Sequence, residues 1–168
     1  MNEALKIGTN LSKFSTYSCQ PKTREELKSI IDDRITEEGN ICDLNDIDTS
    51  LITDMSWLFC KTKFNGDISK WNVSNVTNMA YMFKDSEFNG NISKWDISNV
   101  KYMEGMFASS KFNGNISKWN VSNVTRMSRM FHDSSFDQDI SNWKINKNCD
   151  ATHMFLDCPI KEEHKPAL

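Results

Sequence analysis

Three histidines, His132, His153 and His164, and five cysteines, Cys19, Cys42, Cys60, Cys149 and Cys158, are the side chains from which this chain could build a general base, a nucleophile or a metal site. Their spacing assembles none of these. No histidine has a metal-binding or catalytic companion at a recognisable interval. The cysteines form an odd set without a CxxC pair, which argues against both a disulfide framework and a zinc site and for buried, inert thiols. The acidic stretch DLNDIDTSLITD has the look of calcium ligands, yet the central Gly and terminal Glu of an EF-hand loop are missing. Asp43, Asp46 and Asp48 are therefore read as solvated strand and turn positions. No phosphate-binding glycine loop occurs, NGD being too short. The expectation is a chain with no catalytic, cofactor-binding or metal-ligating residues, and not an enzyme.

Composition points the same way. The 168 residues carry 20 basic and 23 acidic side chains for a net charge of −3, so no strongly charged partner is implied and nucleic acid is disfavoured. Apolar residues make up 38%, enough for one core without disulfides or metals. The longest apolar run, Met79 to Phe83, falls far short of the roughly 20 residues of a membrane span. The opening MNEALKIGTNLSKF holds no apolar stretch of secretory length, so the expectation is either a cytoplasmic protein or a signal outside this sequence.

What positions the side chains is an internal repeat. Trp71, Trp95, Trp119 and Trp143 stand 24 apart. Phe59, Phe83, Phe107, Phe131 and Phe155 keep the same interval, as do Phe64, Phe88, Phe112 and Phe136, and Met55, Met79, Met103 and Met127. The unit reads FNGDISKWNVSNVTNMAYMFKDSE. Within it Ile68, Trp71 and Val73 follow the L-x-x-L-x-L pattern of one short strand, while Met79, Met82 and Phe83 lie at i, i+3, i+4, one face of a short helix with Thr77 as its cap. The expected fold class is α/β: a short leucine-rich-repeat-like solenoid with one parallel strand and one short helix per 24-residue coil, and strands starting at Leu44, Ile68, Ile92, Ile116 and Ile140. Thr23 and Glu26 spell a capping box, Leu27, Ile30, Ile31 and Ile35 an apolar stripe, and Gly39 a stop, giving an N-terminal capping helix over 24–38. The divisions expected are 1–40 for the N-terminal segment and capping helix, 41–157 for the repeats and 158–168 for a polar tail.

Asn65, Asn89 and Asn113, and Asn75, Asn99 and Asn123, form columns that suit stacked amide ladders between coils. Asn72, Asn75, Asn91, Asn115, Asn120 and Asn123 also head N-x-S/T triplets, which read as by-products of the repeat rather than glycosylation sites. Gly66, Gly90 and Gly114 look like left-handed turn residues, a preference at most because Gln138 takes the same place.

Core columns barely vary between coils, so binding must live in outward positions that do. On the strand face Lys70, Lys94 and Lys118 make a ladder beside Asp96; it is read first as protection against aggregation and second as a stripe for an acidic ligand. On the helix side the columns Asn78, Tyr102, Arg126 and Tyr81, Gly105, Arg129 place interface-prone residues, chiefly Tyr102, Arg126 and Arg129, on a second candidate surface.

The string DISKWNVSNVTNMAYMF, preceded by FNG, resembles the Trp- and Met-rich repeat of the BspA-like bacterial surface proteins, a divergent leucine-rich-repeat family of mycoplasmas, spirochaetes and other host-associated bacteria. The likeness covers residues 40–157 and the segment KTREELKSIIDDRITEEGN before them. It implies a non-enzymatic role at the cell surface, in adhesion or host interaction, with no cofactor and with a protein partner of unknown identity. The competing expectation is an intracellular binding or immunity-type protein.

Overall fold

The structure, a computed structural model, describes residues 17–168. The reading of the MNEALKIGTNLSKF opening lies outside the described residues. Helix α1 spans Arg24–Glu38. Thr23 opens it by accepting from the Glu26 N–H at 3.2 Å, while the Glu26 carboxylate reaches back to the Lys22 N–H at 2.7 Å. Gly39, at φ 88°, closes it by donating to Ile35 O at 2.9 Å. Leu27 and Ile31 are fully buried against the first coil.

Beyond α1 the expected α/β architecture does not form. Among the described residues there is no sheet, no strand and no second α-helix, only isolated parallel bridges and a three-residue 3₁₀ turn at Glu162–His164. The bridges step along the column Asp54, Asn78, Tyr102, Arg126, Asp150, so the coils do lie side by side in the 24-residue register. They do so without the strand and helix assigned to each unit.

The stretch expected to be helical fails to be one because its N–H groups go elsewhere. Tyr81 and Asp85 sit in the left-handed region at φ 58° and 54°, and their equivalents repeat at Trp57, Gly105, Arg129 and His153, and at Lys61, Ser109, Asp133 and Asp157. A left-handed residue at every fourth position breaks the run of right-handed dihedrals an α-helix needs. The N–H groups of Met79, Tyr81, Phe83 and Asp85 donate forward to the carbonyls of Tyr102, Glu104, Met106 and Ala108 in the next coil at 2.8–2.9 Å. Those of Met82, Lys84 and Ser86 close three-residue turns onto Met79, Tyr81 and Phe83. This turn ladder recurs between every pair of adjacent coils from Met55 to Leu156.

The stretch expected to be a strand is instead two consecutive turns. Asp67 Oδ1 accepts from the Ser69 N–H at 2.8 Å and Asn72 Oδ1 from the Ser74 N–H at 3.1 Å, and the Trp71 and Val76 N–H groups return to Ile68 O and Val73 O. These are Asx turns, in which a short polar side chain mimics the backbone and pre-empts an extended ladder. They repeat at Asn91, Asp96, Asn115, Asn120 and Asp139.

Both halves of each coil face one core. Trp71, Trp95, Trp119 and Trp143 are 3–4% exposed, and their indole N–H groups donate to the carbonyls of Leu44, Ile68, Ile92 and Ile116 in the preceding coil at 2.9–3.2 Å. Phe59, Phe83, Phe107, Phe131 and Phe155 stack with centroids 5.4–5.8 Å apart. Asn65, Asn89 and Asn113 each accept the N–H of the residue one coil later at 2.8–2.9 Å, an amide ladder like the one their column suggests.

The glycine expectation is corrected. Gly66, Gly90 and Gly114 are not in the left-handed region. Gly66 is required by closeness: a Cβ there would lie 2.0 Å from Cys42 O and 2.7 Å from the Phe64 ring.

Candidate functional site

The outward positions singled out by sequence divide between two sides of the column. Lys70, Lys94, Lys118 and Asp96 lie exposed on the Asx-turn side. Lys94 and Lys118 border a shallow depression with Ser93 and Asn115. Asp96 is engaged in its own turn, its Oδ1 accepting from the Ser98 N–H at 3.1 Å. Hydrogen bonds from Ser98 hold the Asp96 carboxyl below the ordinary carboxylate range, and the Ser69 N–H does the same for Asp67. The folded-state values are depressed, so these groups contribute stability above the unfolded value of about 3.9 and lose it as pH falls through the folded value. Asparagine holds the same turn at Asn72, Asn91, Asn115 and Asn120 without titrating. Asp67→Asn with Asp96→Asn is therefore expected to move the acid unfolding midpoint to lower pH while leaving the neutral-pH urea midpoint nearly in place. An unchanged acid midpoint would show that the two carboxylates carry no pH-dependent stability.

The triplet asparagines are occupied too. Asn72 and Asn120 accept from both the N–H and the hydroxyl of Ser74 and Ser122, while Asn75, Asn99 and Asn123 donate Nδ2 to Ser50 O, Ser74 O and Ser98 O at 2.7–2.9 Å.

On the turn-ladder side Tyr102 and Arg126 are exposed neighbours, the guanidinium 6.0 Å from the ring centroid. Arg126 is partly neutralised by Glu104 at 3.5 Å. Arg129 is exposed and makes no ion pair among the described residues. It borders a groove of about 430 Å³. The groove exists because one outward column changes size abruptly: Trp57, Tyr81, Gly105, Arg129, His153. Trp57 stacks on Tyr81 with centroids 4.3 Å apart. The Tyr81 ring then leans over the bare Cα of Gly105, where a Cβ would meet it at 2.6 Å. Gly105 also holds φ 53°, so it serves both the turn and the contact.

Ala108 lies in the floor, and Lys84, Arg129, His132 and His153 supply the polar lining. His132 Nδ1 is 3.0 Å from Leu156 O, which fixes the ring against the last coil. No carboxylate and no thiol lines the groove, although two of its lining residues hold carboxylates beside it, Lys84 with Asp85 at 3.3 Å and Ser109 Oγ with Asp133 at 3.4 Å. The arrangement offers cations beside an aromatic ring, which suits an anionic group carried on an apolar body.

Sequence reasoning found Tyr81, Gly105 and Arg129 as variable columns and weighed His132 and His153 only as candidates for catalysis or metal binding; it missed Lys84 and Trp57. The signal was present in a parallel column, Cys60, Lys84, Ala108, His132, Leu156, which shrinks at the same coil as its neighbour.

Among known proteins, the family model described as "Mycoplasma protein of unknown function, DUF285" matches residues 26–111 and again 108–161. No curated protein and no solved structure matches the chain.

Proposed function

The chain belongs to the DUF285 family, and from that premise we propose that it is a non-enzymatic protein-interaction module whose turn-ladder side receives the partner. The observation carrying this reading is the groove at Gly105, where Arg129, His132 and His153 gather around a cleft with no carboxylate of its own. A hydrolytic or transfer site would need a base or nucleophile oriented by a third group. The two histidines of the groove have neither a carboxylate nor a thiol beside them in its lining. Among the described residues no helix is long and apolar enough to cross a membrane.

The finer likeness to BspA-like proteins favours a cell-surface role in adhesion or host contact. The intracellular alternative draws on the cysteines, an odd set of five that forms no disulfide with one another. Capture from host matrix and from own-cell lysate, run side by side, separates the two. Arg129→Glu with Lys84→Glu is expected to lose the captured protein at least tenfold. Lys94→Glu with Lys118→Glu, on the opposite side, is expected to retain it, as is Tyr102→Ala with Arg126→Ala to within a few fold. Loss confined to the lysine variant, or in none, would contradict the assignment of the face.

A further inference from the structure

The turn ladder is directional, and that leaves one end of the column chemically incomplete. In every coil the alternate N–H groups point forward and the alternate carbonyls backward. In the last coil the equivalent donors are the N–H groups of Ala151, His153, Phe155 and Asp157, and among the described residues none of them has an acceptor. The N–H groups between them are used in turns, Met154 to Ala151 O, Leu156 to His153 O and Cys158 to Phe155 O. The edge therefore presents four donors at two-residue intervals and no alternating acceptors.

Residues after Cys158 give this row no hydrogen-bond acceptor. They cross to the other side of the last coil, where His164 O takes the Ile140 N–H at 3.0 Å and Ile160 is buried. The tail meets the Phe155 ring, 5.6 Å from Lys165 Nζ, and the next residue along it, Pro166, is buried. A second copy does not fit either. Joined end to end by their last coils, two copies would set donor against donor. Stacked head to tail, a copy would meet α1, which buries Leu27 and Ile31 against the first coil and whose Arg24 Nη1 already holds Ser56 O at 3.1 Å.

The donor row runs into the groove, because His153 belongs to both and Leu156 lies between two of its donors. Building on the interaction reading, we propose that an extended acidic peptide segment of a partner protein adds to this edge. Its alternate carbonyls accept from Ala151, His153, Phe155 and Asp157, and one of its carboxylates enters the near end of the groove beside Arg129 and His132. An extended chain points carbonyls to one side at every second residue, matching the row, and strand addition of this kind draws affinity from main-chain bonds and selectivity from side-chain sites. Leu156, 47% exposed, supplies apolar contact at the rim. Exposed Asp150 and Asp157 flank the row and repel acid at its ends, which places the peptide's carboxylate between them, at His153.

The test follows the backbone amides of the full chain by NMR hydrogen exchange with three end-blocked decapeptides, alternating Glu–Thr, Gln–Thr and Lys–Thr. With Glu–Thr the four edge amides are expected to slow at least tenfold, with Gln–Thr less, and with Lys–Thr not at all. Arg129→Glu should weaken Glu–Thr binding at least tenfold, and Ala151→Pro, which removes one donor next to Asp150 of the last parallel bridge, should weaken it severalfold. Edge amides still exchanging freely at saturating Glu–Thr, or Lys–Thr binding as well, would overturn the proposal. Concentration-dependent protection without peptide would assign the row to a second copy and also overturn it. If the peptide fails while Arg129→Glu still loses the captured protein, the peptide proposal falls and the interaction reading stands.

Discussion

Trp95→Ala is expected to lower the unfolding free energy by about 3–5 kcal/mol, the range for emptying a large aromatic from a packed interior. The ring is 4% exposed, lies 6.4 Å from Trp71 with an interplanar angle of 1°, and stands 6.5 Å from Phe83. Neighbours held in register by inter-coil bonds cannot collapse freely into the void, so the cost should sit toward the upper end. The indole N–H also donates to Ile68 O at 3.2 Å, a carbonyl that keeps the Trp71 N–H as a second donor. Trp95→Phe, which fills much of the space but drops the bond, should then cost only about 1–2 kcal/mol. Urea melts of the three chains check the pair. Equal stabilities would place Trp95 outside the core.

Gly66→Ala is expected to be the most damaging of the repeat glycine substitutions, at about 3 kcal/mol or more. The added methyl would stand 2.0 Å from a backbone oxygen, Cys42 O, which is held there by the Asp67 N–H at 3.2 Å. Backbone cannot swing aside as a side chain can, so relief requires the first two coils to part. At Gly90 and Gly114 the equivalent carbonyl recedes to 3.3 and 3.6 Å and the close atoms are ends of the Phe88 and Phe112 rings, which can tilt. Gly114→Ala should therefore cost no more than about 1–2 kcal/mol. Gln138 in the same column fits this trend of loosening toward the far end. Thermal melts in which Gly66→Ala and Gly114→Ala are equally stable would contradict the close approach at Cys42.

How much of this was legible from residues alone depended on what kind of signal each feature leaves. The register was legible because identical side chains recur every 24 residues, and a stack with that period must put Trp over Trp and Phe over Phe. The bounds of α1 were legible because Thr23 and Gly39 punctuate an apolar stripe. The local conformation within a coil was not. Met79, Met82 and Phe83 show the i, i+3, i+4 spacing of a helix, but turns closed at i+3 and joined by left-handed residues give the same spacing. The left-handed column Trp57, Tyr81, Gly105, Arg129, His153 contains one glycine in five, so no glycine rule marks it.

The Asx turns did leave a trace. Asp67 and Asn72, Asn91 and Asp96, Asn115 and Asn120 stand five apart, each two residues before a serine. Read as N-x-S/T triplets, they hid a turn motif whose physical reason is the short side chain's bond to the backbone two residues on. For the binding site, the variable columns were visible, but their meeting was not. Lys84 and His132 stand three residues after the column of Tyr81, Gly105, Arg129 and His153, a spacing that shares a face in a helix as well as in the turn ladder, so what was missed is that the two columns line one groove.

The central claim is that neighbouring coils are joined by forward N–H to carbonyl bonds across the repeat rather than by helices within it. Through-hydrogen-bond scalar couplings in NMR report donor and acceptor directly. The account predicts correlations from the Phe83 amide to the Met106 carbonyl and from the Phe107 amide to the Met130 carbonyl, across bonds of 2.9 Å. Couplings from the same amides to Met79 and Met103, four residues back as in an α-helix, would contradict it.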